Sequence, residues 1–297
     1  MKNKPSKNNN HSGNPILRSG LYLVSTPIGN LGDLSSRAIK ILSHADYIAC
    51  EDTRITLKLL RAIDVSVPLV SYHEHSPTKV RYRLLDDLKN GKSVVLVSDA
   101  GTPLISDPGY KLVRLAAKED IFITAIPGAS SPIVALVLSG LPPDRFFFAG
   151  YLPPKEANRR TAISQLQKVP ATLIFLESTR RLAPALESLA DVLGNRPGAV
   201  ARELTKLHEE VTRGNLRELA ENYKILSPPK GEAVIVVGPP DEKGVLLEKN
   251  IDDLLLAVLE SMSVKDSASM IAETIGIPRR EVYARAVVLA RNRRKQK

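Results

Sequence analysis

The chain has 297 residues, 43% hydrophobic and 25% charged, a globular balance with length for two domains, and its single cysteine, Cys50, excludes an internal disulfide framework. No apolar run reaches membrane-span length, and the five histidines and one cysteine show no metal-ligand spacing, so neither a span nor a structural metal is expected. The formal net charge of +10 is concentrated at the ends: residues 1–18 carry four basic and no acidic side chains, residues 245–297 ten basic and seven acidic, and this favours a polyanionic partner such as nucleic acid.

Residues 1–18 lack the apolar core of a signal peptide and read as a solvated, disordered leader, with cytoplasmic residence as the default. A first α/β domain is expected over 19–141. Gly20 to Ser25 reads as a strand ending in Thr26-Pro27-Ile28-Gly29-Asn30, after which Asp33 is expected to cap a helix with Leu34, Ala38, Ile41 and Leu42 inward. Tyr47 to Cys50 is a short strand leading into Glu51-Asp52-Thr53-Arg54 and a helix through Leu57, Leu60 and Ala62. Val67 to Tyr72 is another strand, ending in His73-Glu74-His75; on a strand these two histidines would face opposite ways. A charged helix containing Arg81, Arg83, Asp86, Asp87 and Lys89 then leads to the β-branched strand Ser93 to Val97.

The turn after that strand, Ser98 to Gly109, holds two Gly, two Pro, two Asp, two Ser and a Thr, more special chemistry than a connector needs. A helix with Leu112, Val113, Leu115 and Ala116 inward follows, then the strand Ile121 to Ile126, the turn Pro127-Gly128-Ala129-Ser130-Ser131 and a very apolar helix through Leu138. Strand and helix alternate, which argues for a parallel sheet. Three Gly/Pro-rich strand ends should then share one edge, where open α/β sheets bind ligands.

Gly140 to Asp144 is the expected boundary, and a second α/β domain is expected over 145–240. Its strands are Phe146 to Gly150, Thr172 to Leu176, Gly198 to Glu203 and Glu232 to Val237, with a helix carrying Leu182, Leu186 and Leu189; His208 to Tyr223 reads as a strand or turn followed by a helix. Pro239-Pro240-Asp241 opens a linker to a helical region, 245–297. There Leu254, Leu255, Val258 and Leu259 mark one helix, and Ser267 to Tyr283 has the cadence of a helix-turn-helix, with Gly276 at the turn and Arg279 and Arg280 opening the second helix. The Arg291-to-Lys295 tail suits phosphate contact.

Six ordered stretches carry a resemblance: Leu21 through Leu31, Glu51-Asp52-Thr53-Arg54, Ser71-Tyr72-His73-Glu74-His75, Ser98 through Pro108, Ile126 through Ser130, and Gly231-Glu232-Ala233-Val234. Together they make the chain, from about Gly20 to Pro240, resemble the tetrapyrrole-methylase superfold of S-adenosylmethionine-dependent enzymes. Within it, the chain resembles the 16S ribosomal RNA cytidine 2′-O-methyltransferase subfamily, which also has a helical tail. Thr26-Pro27-Ile28-Gly29 stands where tetrapyrrole-acting members have Gly-Pro-Gly, and Ser-Asp-Ala-Gly-Thr-Pro replaces their Gly-Asp-Pro; both differences favour the RNA branch. The absence of a GxGxxG fingerprint disfavours an ordinary Rossmann methyltransferase.

The resemblance implies a class III methyltransferase with two α/β domains, a small C-terminal helical domain and a homodimeric assembly. It implies S-adenosylmethionine folded against Asp99, Gly101, Thr102, Ile105 and Ser106, with Pro27, Ala129, Ser130, Leu204 and Ala233 facing it. The implied substrate is a decoding-centre cytidine of 16S rRNA in the 30S subunit.

A ribose hydroxyl is a weak nucleophile near neutral pH, so a positioned base is expected at Asp99, Glu51, Asp52 or His73. Each has a purely structural alternative: Asp52 and Arg54 as a helix-capping ion pair, His73 hydrogen-bonded within a loop, Asp99 fixing its own turn. Arg54, Lys155, Lys206, Arg279, Arg280, Arg293 and Arg294 are candidate RNA phosphate contacts. Two rival readings are a porphyrinoid C-methyltransferase, which would have little use for the basic tail, and a non-enzymatic nucleic-acid-binding regulator, which leaves the three turns unexplained.

Overall fold

A computed structural model describes residues 17–225, 231–240, 251–260, 262–275 and 278–296, without the side chains of 293–296. Most of the expected leader, the linker from Asp241, the Gly276 turn and the side chains of Arg293 and Arg294 lie outside the described residues.

Five short apolar segments of the first half form one all-parallel sheet: β1 (Gly20–Val24), β2 (Tyr47–Cys50), β3 (Leu69–Ser71), β4 (Ser93–Val97) and β5 (Ile123–Ile126), in the order β3-β2-β4-β1-β5. Parallel neighbours require crossovers, and these are α1 (Ser36–His44), α2 (Thr53–Ala62), α3 (Thr78–Lys89) and α4 (Tyr110–Lys118). Side-chain alternation sorts them onto two faces. Ala38, Leu42 and Leu60 of α1 and α2 pack with Tyr22, Val24, Ile48, Cys50, Val95 and Val97. Leu84, Leu85, Leu88, Leu112 and Ala116 of α3 and α4 pack with Leu21, Ala49, Val94 and Leu96 on the other face. β4, covered on both sides, is buried at all five positions, and Cys50 is a free, buried core residue.

Two local expectations are corrected. Asp33 belongs to a 3-10 turn, Leu31–Asp33, capped by Asn30, while Ser35 caps α1 by accepting from the Ala38 amide at 3.1 Å. Starting the helix at Ser36 still turns Ala38 and Leu42 inward, so the later cap costs no burial. β3 spans three residues rather than six, because it is an edge strand entered through Pro68, which has no amide to donate. His73 and His75 therefore lie in a turn beyond the strand, their ring centroids 6.4 Å apart.

The second sheet is mixed: β6 (Phe146–Tyr151), β7 (Thr172–Ser178), β8 (Pro197–Arg202), β9 (Glu210–Asn215) and β10 (Glu232–Val237), in the order β6-β7-β10-β8-β9, with only β6 and β7 parallel. α7 (Leu182–Leu193), α8 (Leu216–Ile225) and an additional helix, α6 (Glu156–Ser164), cover one face through Ile163, Leu186, Leu189 and Leu219. The opposite face is covered by α5 (Ser131–Ser139), whose Ala135 and Leu136 pack with Ile174, Leu176, Val234 and Val236. α5 thus follows the first sheet in sequence but roofs the second. Gly140, at φ +74°, ends it, and the Arg213 guanidinium of β9 donates to the Leu138 and Ser139 carbonyls there.

At the C-terminal end, α9 (251–258), α10 (Val264–Ile275) and α11 (Arg279–Gln296) enclose a small core of Ile251, Leu255, Ala268, Ile271, Val282 and Ala286. Arg285 pairs with Asp252 through two hydrogen bonds of 2.6 and 2.9 Å. Among the described residues, no helix is long and apolar enough to cross a membrane, and no group of three or more His, Cys, Asp and Glu is placed to hold a metal.

Candidate active site

The strand order sets β4 between β1 and β2, so the loop Ser98–Gly109 emerges beside the ends of both. Thr26 and Gly101 exchange backbone hydrogen bonds of 2.9 and 3.0 Å across this edge. The Thr102 hydroxyl donates to the Ala129 carbonyl at 3.0 Å and lies 3.1 Å from the Ser25 hydroxyl. Hence the three turns expected to share an edge are stitched together through Ser25, Thr102 and Ala129. Within the loop Leu104 and Ser106 are held at φ +73° and +65°, a conformation costing on the order of 1–3 kcal/mol for residues with a Cβ. Gly109, at φ +131°, allows the chain to turn into α4; a Cβ there would come within 2.7 Å of Leu96 and 2.9 Å of Leu104.

The second lobe closes on the same place. Leu204 is buried between Glu203 and Thr205, themselves at φ +48° and +65°, and the aliphatic stem of Lys206 crosses Gly29 so closely that a Cβ there would meet Lys206 Cγ at 2.5 Å. Ser106 Oγ approaches the register shift in β6, at 3.7 Å from where Gly150 would carry a Cβ. Ala233 is buried on β10, between β7 and β8. The Thr205 hydroxyl is buried and lacks a hydrogen-bond partner, a polar atom left at the junction. Four of the six positive-φ residues other than glycine, among those described, therefore fall on the two loops that meet here. Pro27, Asp99, Gly101, Thr102, Ala129 and Ser130 are buried or half-buried around the junction, and Ile105 and Ser106 are exposed on its rim.

The acidic groups divide by environment. Asp52 is the N-cap of α2: its carboxylate accepts from the Arg54 amide at 2.8 Å and from the Arg54 guanidinium, which holds its pKa down at about 2. That is the capping ion pair, and it makes Asp52 a very weak base. Asp99 uses Oδ1 to accept from the Asp52 amide at 3.0 Å, so it fixes the neighbouring loop rather than its own turn. Glu51 is half-buried, and burial, then the Asp99 charge, push its pKa above the ordinary range. His73 donates its backbone amide to Ser76 Oγ at 2.8 Å, within a loop, and its charge opposes the shift of Glu51.

Sequence reasoning passed over Asp107. Burial raises this carboxyl to about 6; a hydrogen bond from Ser98 opposes the shift, and the charges of Glu51, Asp99 and Glu232 add to it. Its only signal in sequence is a second aspartate in the loop that also holds Asp99. Across the junction the Tyr151 hydroxyl donates to Glu232 at 2.8 Å, and burial and that carboxylate push the phenol well above its usual range.

Among the candidate cations, Arg54 is 86% exposed although tied to Asp52, and Lys206 pairs with Glu203 at 3.0 Å. Lys155 is exposed at the start of α6, and Arg279 and Arg280 at the start of α11.

Residues 20–220 match the tetrapyrrole (corrin/porphyrin) methylase family, and 246–290 match the RsmI C-terminal HTH domain. The chain belongs to the tetrapyrrole methylase family. Relatives named ribosomal RNA small subunit methyltransferase I include one from Mesorhizobium japonicum, 46% identical and covering 92% of this chain and 93% of its own, and one from Erythrobacter litoralis, 47% identical and covering 94% and 98%. At that identity and coverage, the chain's place in the family is with these methyltransferases. Among solved structures, diphthine synthase aligns with a TM-score of 0.57 at 15% identity, covering 73% of this chain and 89% of its own. Cobalt precorrin-4 methyltransferase aligns with a TM-score of 0.52 at 18% identity, covering 73% and 94%; these two share the fold.

Proposed function

We propose that the protein transfers the methyl group of S-adenosylmethionine to the ribose 2′-hydroxyl of a decoding-centre cytidine in 16S rRNA of the small ribosomal subunit, as a cytoplasmic homodimer. The observation that carries this reading is the junction where strand-end loops of the first sheet meet the Glu203–Lys206 loop, in a chain whose relatives bear the name of an rRNA methyltransferase. The junction fits the donor: small residues, strained backbone and the unpartnered Thr205 hydroxyl occur together there. Pro27, Asp99, Gly101, Thr102, Ile105, Ser106, Ala129, Ser130, Leu204 and Ala233 would hold it.

When bound, the donor supplies a methyl carbon already activated by a sulfonium, so the protein contributes mainly position and proton removal. The hydrogen bonds joining Ser25, Thr102 and Ala129 keep the loops in one geometry, and Leu204 would present an apolar side chain from the second lobe. Of the bases expected from sequence, Asp52 is disfavoured by its ion pair, leaving Glu51, Asp99 and His73. Arg54, Lys155, Lys206, Arg279, Arg280, Arg293 and Arg294 would contact phosphates of the RNA, each contact steepening the salt dependence of binding by about one unit.

The porphyrinoid alternative draws on the breadth of the tetrapyrrole methylase family and on a shared fold at 18–23% identity, and the basic helical tail does not favour it. The test is incubation with labelled donor and 30S subunits or 16S rRNA, followed by mapping of alkali-resistant linkages. One resistant cytidine linkage is expected; label at no ribose would reject the reading.

A further inference from the structure

We propose that Tyr151 and Glu232 form the subsite that reads the base of the methylated nucleotide. The Tyr151 ring stacks on that base, and the Glu232 carboxylate accepts a hydrogen bond from its exocyclic amine, which cytosine offers and uracil lacks. The proposal rests on the ribose-methylation reading above. It is built on where β6 and β10 place these two side chains.

Alternate residues of a regular strand share a face. Phe148 packs with the cluster under α5, and Ala149 with the cluster under α7 on the opposite face. Continued alternation would return Gly150 to the α5 face and send Tyr151 to the other. The register shift in β6 intervenes: Gly150, at φ +69°, pairs with Phe175 of the α7 face, and Tyr151 pairs with Leu176 of the α5 face. One additional residue thus re-aims Tyr151, as strand irregularities beside working sites do. Glu232 reaches the α5 face by ordinary alternation, in step with Val234 and Val236. The two side chains meet across the end of β7, the Tyr151 hydroxyl donating to Glu232 Oε1 at 2.8 Å.

This face runs into the donor junction. Leu204 belongs to its cluster, and Ile28 from the first turn packs against it. The junction loops also bracket the pair. Ser106 Oγ lies 3.7 Å from the Cβ position of Gly150, immediately before Tyr151. Gly231, immediately before Glu232, is at φ +101°, with its Cβ position 2.8 Å from Glu203 Oε1. The Gly231 carbonyl accepts from the Thr179 amide and hydroxyl at 3.3 and 3.0 Å, which fixes the start of β10.

Both groups are open to a ligand. Tyr151 is 45% exposed, and Glu232 is exposed with no partner for Oε2 among the described residues. Unstacked bases of RNA lie on aromatic rings, and a carboxylate accepts from the N4 amine of cytosine. A carboxylate repels phosphate, so its place is at a base edge and not along the RNA backbone. Opposite uracil it would face O4, acceptor against acceptor. The Tyr151 hydrogen bond orients the carboxylate and leaves Oε2 for the base.

The experiment measures kcat/KM for methylation of 30S subunits reconstituted with either the native cytidine or a uridine at the methylated position. Wild type, Glu232→Gln, Tyr151→Phe and Tyr151→Ala are compared, with donor affinity measured by calorimetry. Wild type should prefer cytidine by roughly tenfold or more. Glu232→Gln, whose amide can donate to O4, should lose rate on cytidine, gain it on uridine, and bring the preference within about threefold. Tyr151→Ala should lose roughly tenfold on both substrates, and Tyr151→Phe, which keeps the ring, should stay within about threefold on cytidine. Donor affinity should remain within about twofold throughout.

A wild type indifferent to the base, a Glu232→Gln variant that keeps the wild-type preference, or a Tyr151→Ala variant within twofold of wild type would overturn the subsite while leaving ribose methylation standing. Rate losses matched by equal losses of donor affinity would overturn it too, as a purely structural effect. Label outside ribose in wild type would instead overturn the functional reading, and the subsite with it. Should Tyr151→Ala not fold, Glu232→Gln decides, because it exchanges one exposed carboxylate oxygen for an amide: an unchanged preference refutes the role.

Discussion

Removing the Asp107 charge should stabilise the fold. Burial and three neighbouring carboxylates lift this carboxyl from 3.8 to about 6, so the folded protein binds its proton more tightly than the unfolded chain. A group raised in this way favours folding fully below the unfolded pKa, and that contribution is lost as pH rises through the folded value. The displacement corresponds to an order of magnitude of 2–3 kcal/mol held against the ionised site at neutral pH. Asn approximates the protonated carboxyl in size and polarity without the charge. Urea unfolding of wild type and Asp107→Asn from pH 3.5 to 8 should give similar stabilities near pH 4. The variant should then pull ahead between about pH 4 and 6 and hold a lead of about 2–3 kcal/mol above pH 7. A stability difference flat across that range would refute the claim that this carboxylate is ionised against its surroundings.

Gly109→Ala should be damaging, because the left-handed backbone costs about 1–3 kcal/mol and the new methyl meets the fully buried Leu96; a loss of roughly 2–5 kcal/mol in denaturant unfolding is expected. Thr102→Val removes the donor to the Ala129 carbonyl and the Ser25 link; about 1–2 kcal/mol of stability should go, and calorimetry should show weaker donor binding. Arg54→Ala should let the Asp52 carboxyl return from about 2 toward the ordinary value of 3.8, read by NMR titration, without abolishing donor binding. Arg279→Ala with Arg280→Ala should leave donor affinity unchanged and lower the salt slope of RNA binding by about one per lost phosphate contact.

The first sheet was legible because β4 is a run of β-branched residues stopped by Gly and Pro, and β1 and β5 end in turns of the same character. The shared edge followed from connectivity alone. α6 escaped notice because its inward positions are Ile163 and Arg159, the latter anchored to Ser188 and the Pro154 carbonyl, so no apolar stripe announces it. Asp33 and Ser35 are equally good caps on paper; Asp33 is taken up in the 3-10 turn capped by Asn30, which leaves Ser35 to cap α1.

The limits at the site are electrostatic. Asp99 reaches Asp52 across 47 residues, and the environment of Asp107 is assembled from Glu51, Asp99 and Glu232; none of these proximities has a local signature. Positive φ at Leu104, Ser106, Glu203 and Thr205 is likewise invisible to residue type, since none is a glycine. Composition located the loops. Only folding revealed which side chains in them are under load.

The placement of α5 bears on how the molecule could be taken apart. A nick after Leu141 would separate the β6–β10 sheet from the helix that roofs it, baring Ile174, Leu176, Val234 and Val236 on the downstream piece. The two fragments should therefore be poorly soluble when expressed singly and reassemble when expressed together, the upstream piece acting as a chaperone for the downstream one. The covalent join is then dispensable for shape, because one nine-residue helix already keys the halves to each other.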